Sequence, residues 1–106
     1  MQDNRRQDNR IATNLPVDLE VDSQITIHGQ LRDISEKSAF IVIKESVFIQ
    51  LNDEFGFRIK KDVNDAEASV TGKARVSRIE KGEGIAIYFT KLIGDSQAQL
   101  KQLLTA

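Results

Sequence analysis

Period-two alternation of apolar side chains governs most of this chain. Leu15, Val17, Leu19 and Val21 alternate with Pro16, Asp18 and Glu20, and Pro16 is tolerable near a strand start. Ile25, Ile27, Gly29 and Leu31 then share one face while Thr26, His28, Gln30 and Arg32 share the other, in a strand that carries through to Ile34. Successive strand side chains point to opposite faces, so each such run has one face to bury and one to leave in water. Ala39 to Ile43 is a short β-branched run, Phe55, Phe57 and Ile59 alternate again, and Val70 to Ile79 makes a longer strand. A turn at Lys81-Gly82-Glu83-Gly84 leads into Ile85 to Phe89. Six short strands with tight connections in 106 residues predict an all-β fold, a closed six-stranded antiparallel barrel that removes the edges of an open sheet.

After the last strand the period changes. Ser96 followed by Gln99 has the form of a capping box, and Leu100, Leu103 and Leu104 stand at i, i+3 and i+4, which predicts one C-terminal amphipathic helix over 96–105. Its leucine face docks on the barrel rim or serves a dimer contact. The expected organisation is an arm over 1–14 and a barrel with its helix over 15–106.

The arm has an unusual composition. Arg5, Arg6 and Arg10 lie in the first ten residues, Met1 is the one apolar side chain there, and no lysine precedes Lys37. Gln2-Asp3-Asn4-Arg5 is repeated as Gln7-Asp8-Asn9-Arg10. Such polar residues bury too little area to offset backbone ordering at about 1–2 kcal/mol per residue, so the segment is expected to be flexible. A guanidinium offers forked donors and a stacking face, which suits planar or phosphorylated groups better than an ammonium does. The plainer alternative is a solvated terminal tail.

Overall charge and composition remove other classes. Fifteen basic against sixteen acidic residues give a net charge of −1, too little field to attract a long nucleic acid. The absence of cysteine fits a reducing compartment, and neither a signal-type apolar segment nor a run near the ~20 residues that span a bilayer is present. A cytoplasmic protein without membrane insertion is the expectation. Catalysis is not expected: His28 is a lone histidine on a strand's polar face without metal-ligand spacing. The pairs Asp62 with Asp65 and Glu80 with Glu83 lie in turn-like stretches, and Gly82-x-Gly84 precedes a strand rather than a helix. No cofactor or metal is implied. An oligonucleotide-binding barrel would need aromatic platforms among basic residues, whereas Tyr88 and five phenylalanines stand mostly at apolar positions.

Arg6-Gln7-Asp8-Asn9-Arg10 and, further along, Asp33-Ile34-Ser35-Glu36-Lys37-Ser38 together resemble the PilZ domain family, whose signature is RxxxR followed by [DN]xSxxG. Gln30 to Ser35, Ala74 to Ile79 and Gly84 to Phe89 are similar to the family's strand into its binding turn, its fifth strand and its closing strand. The resemblance implies a six-stranded PilZ-type barrel that binds the bacterial second messenger cyclic di-GMP, with Arg5, Arg6, Arg10, Asp33, Ser35 and Ser38 as ligand-binding residues. It implies a single-domain receptor or adaptor whose ligand orders the arm over the barrel, changing a surface read by a downstream protein. The alternative is a PilZ-fold interaction module that has lost the ligand.

The residue chemistry agrees with that implication. A guanidinium can bridge guanine O6 and N7 or lie on a purine face. Asp33 can accept from guanine N1–H and N2–H, and Ser35, expected on the same strand face, can donate to a phosphate. Alternatively, Asp33 and Ser35 only cap their own turn. Arg32 is expected on the face opposite Asp33. Ser38 replaces the motif glycine; if the turn needs a left-handed residue there, serine costs roughly 1–2 kcal/mol.

Overall fold

The computed structural model describes residues 10–22, 24–43, 49–60 and 68–105. In chain order these form β1 (Ile11–Ala12), β2 (Pro16–Asp22), β3 (Ile25–Ile34), β4 (Ser38–Val42), β5 (Glu54–Lys60), β6 (Ala68–Glu80), β7 (Gly84–Leu92) and α1 (Ser96–Thr105). The strands run in the order β3, β2, β5, β6, β7, β4, and β4 pairs back onto β3. This is the closed six-stranded antiparallel barrel with a C-terminal helix that the alternation predicts.

Alternation fills the interior. Val17 and Leu19 of β2, Leu31 and Ile34 of β3, Phe57 and Ile59 of β5, Val76 of β6 and Ile85 and Ile87 of β7 are all buried in one core. Each such side chain contributes on the order of 1.5–3 kcal/mol on burial. Close backbone approach at Gly84 completes the packing. A Cβ there would stand 2.0 Å from the Ile41 carbonyl oxygen, so only glycine lets β7 pass β4 at this point.

The leucine face of α1 closes on the barrel. Leu100 is 1% exposed, and Leu103 and Leu104 pack against the same core. Docking on the barrel therefore engages this face. The capping-box reading of Ser96 is corrected. Ser96 is already helical, the Asp95 carbonyl accepts the Gln99 N–H at 3.0 Å, and the Ser96 hydroxyl instead accepts the backbone N–H of Thr71 at 2.8 Å. The hydroxyl ties the helix to β6 rather than to its own first turn. No helix among the described residues is long and apolar enough to cross a membrane.

Part of the segment expected as an arm is laid on the barrel. Ile11 faces Ile34 and Ala12 faces Asp33, and the Thr13 N–H donates to the Arg32 carbonyl at 3.1 Å. β2 pairs with β3 only from Pro16 opposite Gln30, so the last turn of that edge is open for β1 to take. Arg5 and Arg6 lie outside the described residues.

Two bulges shape the outer surface. Where β3 meets β4, Leu31 faces Ile41 but Asp33 faces Phe40; where β6 meets β7, Val76 faces Ile87 but Arg78 faces Ala86. An extra residue breaks the alternation for one step. Arg32 and Asp33 consequently reach the same outer recess, as do Ser77 and Arg78. The expectation that Arg32 faces away from Asp33 is corrected by the first of these bulges.

Candidate functional site

The turn from β3 to β4 is built around Ser35. Its N–H donates to the Ser38 carbonyl at 2.7 Å, and its hydroxyl oxygen accepts the N–H groups of Ser38 at 3.1 Å and Lys37 at 3.3 Å. Serine favours such local turns because its short side chain substitutes for a backbone acceptor. β3 ends at Ile34, so Ser35 does not share a face with Asp33. Ser35 is fully buried in the turn.

Ser38 opens β4 opposite Tyr88 in extended backbone. Among the described non-glycine residues only Asn52 has a positive φ, so serine at the motif-glycine position carries no left-handed strain. What the substitution adds is a hydroxyl. It lies 3.2 Å from the Ser35 hydroxyl and accepts a hydrogen bond from Nη2 of Arg10.

Arg10 brings the site together. Its Nη1 donates to Oδ1 of Asp33 at 2.5 Å while Nη2 reaches Ser38, so one guanidinium bridges the ends of β3 and β4. The pair is partly solvated, with Arg10 41% and Asp33 22% exposed at the side chain. Ion pairs in that setting are typically worth about 0–1 kcal/mol, which leaves the contact exchangeable. Arg10, Asp33 and Ser38 are thus gathered at one place, Ser35 supports them from within the turn, and Arg5 and Arg6 lie outside the described residues.

A polar recess of about 350 Å³ opens beside this cluster, with Arg10, Asp33 and Ser38 on one side, Ser77 and Arg78 on the other, and Phe40 and Ala86 between. The guanidinium carbon of Arg32 sits 3.7 Å from the centre of the Phe40 ring, and that of Arg78 sits 5.9 Å from it. Arg78 pairs with Glu80 at 2.9 Å, and Arg32 lies 3.7 Å from Glu83 and 3.5 Å from Asp33. Sequence reasoning misses Arg78 and sets Arg32 aside, because period two hides the bulges beside them, and it reads Phe40 only as part of an apolar run. Forked donors around one carboxylate can hold an anionic group together with the edge of a planar base.

Among the described residues, the other titratable groups singled out in the sequence are paired or lie apart from one another. Nδ1 of His28 is 2.7 Å from Oδ1 of Asp18 across β2 and β3. Glu80 and Glu83 are held in the ion pairs just described, and Asp62 and Asp65 lie outside the described residues. No group of three metal-ligating side chains is assembled among the described residues.

Fold and recess define a small antiparallel barrel with a guanidinium-lined surface site. The PilZ domain family model matches residues 4–106, and the chain belongs to that family. Among solved structures it is similar to the Bacillus subtilis inhibitor of motility MotI/DgrA, at 18% identity and a TM-score of 0.77 over 99% of this chain. It spans about half of that protein, 51% of its chain. The PilZ domain of YcgR from Escherichia coli, solved with c-di-GMP, is similar at 13% identity and a TM-score of 0.69, covering 95% of this chain and 89% of that one. The PilZ domain of CeSA from a cellulose-synthesizing bacterium is similar at 23% identity and a TM-score of 0.63, covering 91% and 94%. A comparison with curated protein sequences finds no match.

Proposed function

We propose that this chain is a bacterial, cytoplasmic receptor module for cyclic di-GMP, acting as an adaptor rather than as an enzyme. The observation that carries the reading is the Arg10 fork on Asp33 and Ser38 at the rim of the polar recess, in a PilZ fold. An ionised carboxylate has about four lone-pair sites, so Asp33 can keep Arg10 and still accept guanine N1–H and N2–H. Arg6, with Arg5 beside it, closes over the ligand from upstream and meets its phosphates or stacks on a base. Ser35 holds the turn on which Asp33 and Ser38 stand. Binding draws the residues upstream of Arg10 over the barrel, and the altered surface is what a partner protein reads, a coupling carried by ordering of a segment.

Calorimetric titration with cyclic di-GMP tests this. Arg6→Ala and Arg10→Ala are each expected to weaken binding by about 1.5–3 kcal/mol, the range for hydrogen bonds to charged groups. Wild-type affinity in both variants would remove the assignment. One observation favours a second reading: both terminal nitrogens of Arg10 already have acceptors inside the chain, and one of them is the hydroxyl at the motif-glycine position. In that reading the fork is a structural clasp and the barrel serves only protein contacts. Absence of binding up to high micromolar ligand selects it.

A further inference from the structure

In the receptor reading, the recess at Asp33 takes one base of a ligand that carries two. A second recess, of about 420 Å³, adjoins it and is lined by Arg32, Phe40, Val42, Gly82 and Glu83. Arg32 and Phe40 line both spaces. The second is the less polar of the two, and its volume falls in the roughly 300–1,000 Å³ range of small-molecule sites.

Arg32 is placed there as a platform. One face of its guanidinium rests on the buried Phe40 ring at 3.7 Å, while Glu83 and Asp33 flank it at 3.7 and 3.5 Å. The side chain nevertheless remains 47% exposed. A guanidinium backed by an aromatic ring and held by carboxylates has a fixed orientation, and its free face suits a planar base. Glu83, 63% exposed on the turn between β6 and β7, sets a carboxylate at the rim of the same space. Carboxylates accept, so the base edge that suits Glu83 is one with adjacent N–H donors, as guanine N1–H and N2–H provide. Gly82 has a φ of 81° and open space where a Cβ would lie, which keeps the mouth of the recess clear.

We propose that the second recess takes the second guanine of a cyclic dinucleotide, with Arg32 as its stacking platform and Glu83 as the reader of its donor edge. This rests on the receptor reading above and adds to it a second pair of contacts outside the arm and the β3–β4 turn. Two bases held in neighbouring recesses, with the phosphates between them facing Arg10 and Arg78, would select a dinucleotide over a single nucleotide.

The experiment is titration of the full chain with cyclic di-GMP, comparing wild type with Arg32→Lys and Glu83→Gln, together with amide chemical shifts on binding. Lysine keeps the charge and loses the plane, and glutamine keeps the length and loses the charge. Each variant is expected to bind roughly five- to 150-fold more weakly, the range for one stacking or charge-assisted contact. The Gly82 and Glu83 amides are expected to shift in the wild-type complex. Wild-type affinity in both variants, or unshifted Gly82 and Glu83 amides at saturation, overturns the second recess and leaves the receptor reading intact. Failure of the wild-type protein to bind overturns the receptor reading, and this inference with it. Glu83 stands exposed on a turn, so Glu83→Gln remains a sound test even if Arg32→Lys loosens the packing over Phe40.

Discussion

The Arg10 guanidinium donates to the hydroxyl of Ser38, a residue at the position where the family motif carries glycine. The link is made without strain, since Ser38 has no left-handed backbone. Its effect is to hold Arg10 against the barrel before any ligand arrives. Ser38→Gly therefore frees one donor and is expected to tighten cyclic di-GMP binding by about 1 kcal/mol, the typical net worth of one hydrogen bond. Folding stability should fall by roughly 0.5–1 kcal/mol through glycine's added chain entropy. Paired calorimetry and thermal melting read the two effects, and weaker binding by the variant would mean that Ser38 helps to place Arg10.

Asp33 separates binding from stability. Its ion pair with Arg10 is partly solvated, so Asp33→Asn should cost less than about 1 kcal/mol in urea unfolding. If the carboxylate receives a guanine edge, the same change weakens ligand binding by about 1.5–3 kcal/mol. Equal losses in the two measurements would make Asp33 a structural residue.

The tether of α1 gives a test independent of ligand. Ser96→Ala leaves the Thr71 N–H without the acceptor it has at 2.8 Å, and should destabilise the protein by about 1–3 kcal/mol. The urea midpoint should move while the m-value stays the same, as befits an unchanged fold. A midpoint equal to wild type would show that water replaces the hydroxyl without loss.

Two glycines close together should respond differently. At Gly84 a Cβ would meet the Ile41 carbonyl oxygen at 2.0 Å, so Gly84→Ala forces β4 and β7 apart and is expected to cost about 3 kcal/mol or more. At Gly82 nothing lies within 4 Å, and the φ of 81° is the only obstacle. Gly82→Ala should cost roughly 1–2 kcal/mol. Similar melting temperatures for the two variants would contradict this contrast.

Strand and helix positions are legible because burial follows period in a barrel. Val17 and Leu19, Phe57 and Ile59, and Ile85 and Ile87 are buried where alternation puts them. The motif residues Asp33 and Ser38 and the arginine at 10 can also be read, since short polar motifs survive any packing. The bulges cannot. Nothing in Leu31-Arg32-Asp33 or Val76-Ser77-Arg78 announces an extra residue, because bulges arise from strand pairing between distant segments. For that reason strict alternation puts Arg32 on the wrong face and leaves Arg78 unmarked. The turn contacts of Ser35 are one of the two readings its sequence offers, whereas Ser96 escapes the sequence for a related reason: a hydroxyl takes whichever acceptor or donor the fold brings near, and the chain order does not say which.

Strand β1 fixes more than an edge. By registering Ile11 and Ala12 on Ile34 and Asp33 it pins the chain one residue after Arg10, with Arg6 four positions upstream. Four residues reach at most about 14 Å when fully extended. Chain length alone thus keeps Arg6, the other arginine of the motif pair, within that reach of the recess, an effective concentration of roughly the millimolar order. Spacer residues between Arg6 and Arg10 would dilute that local supply, so the four-residue interval acts as a measured length as much as a recognition motif.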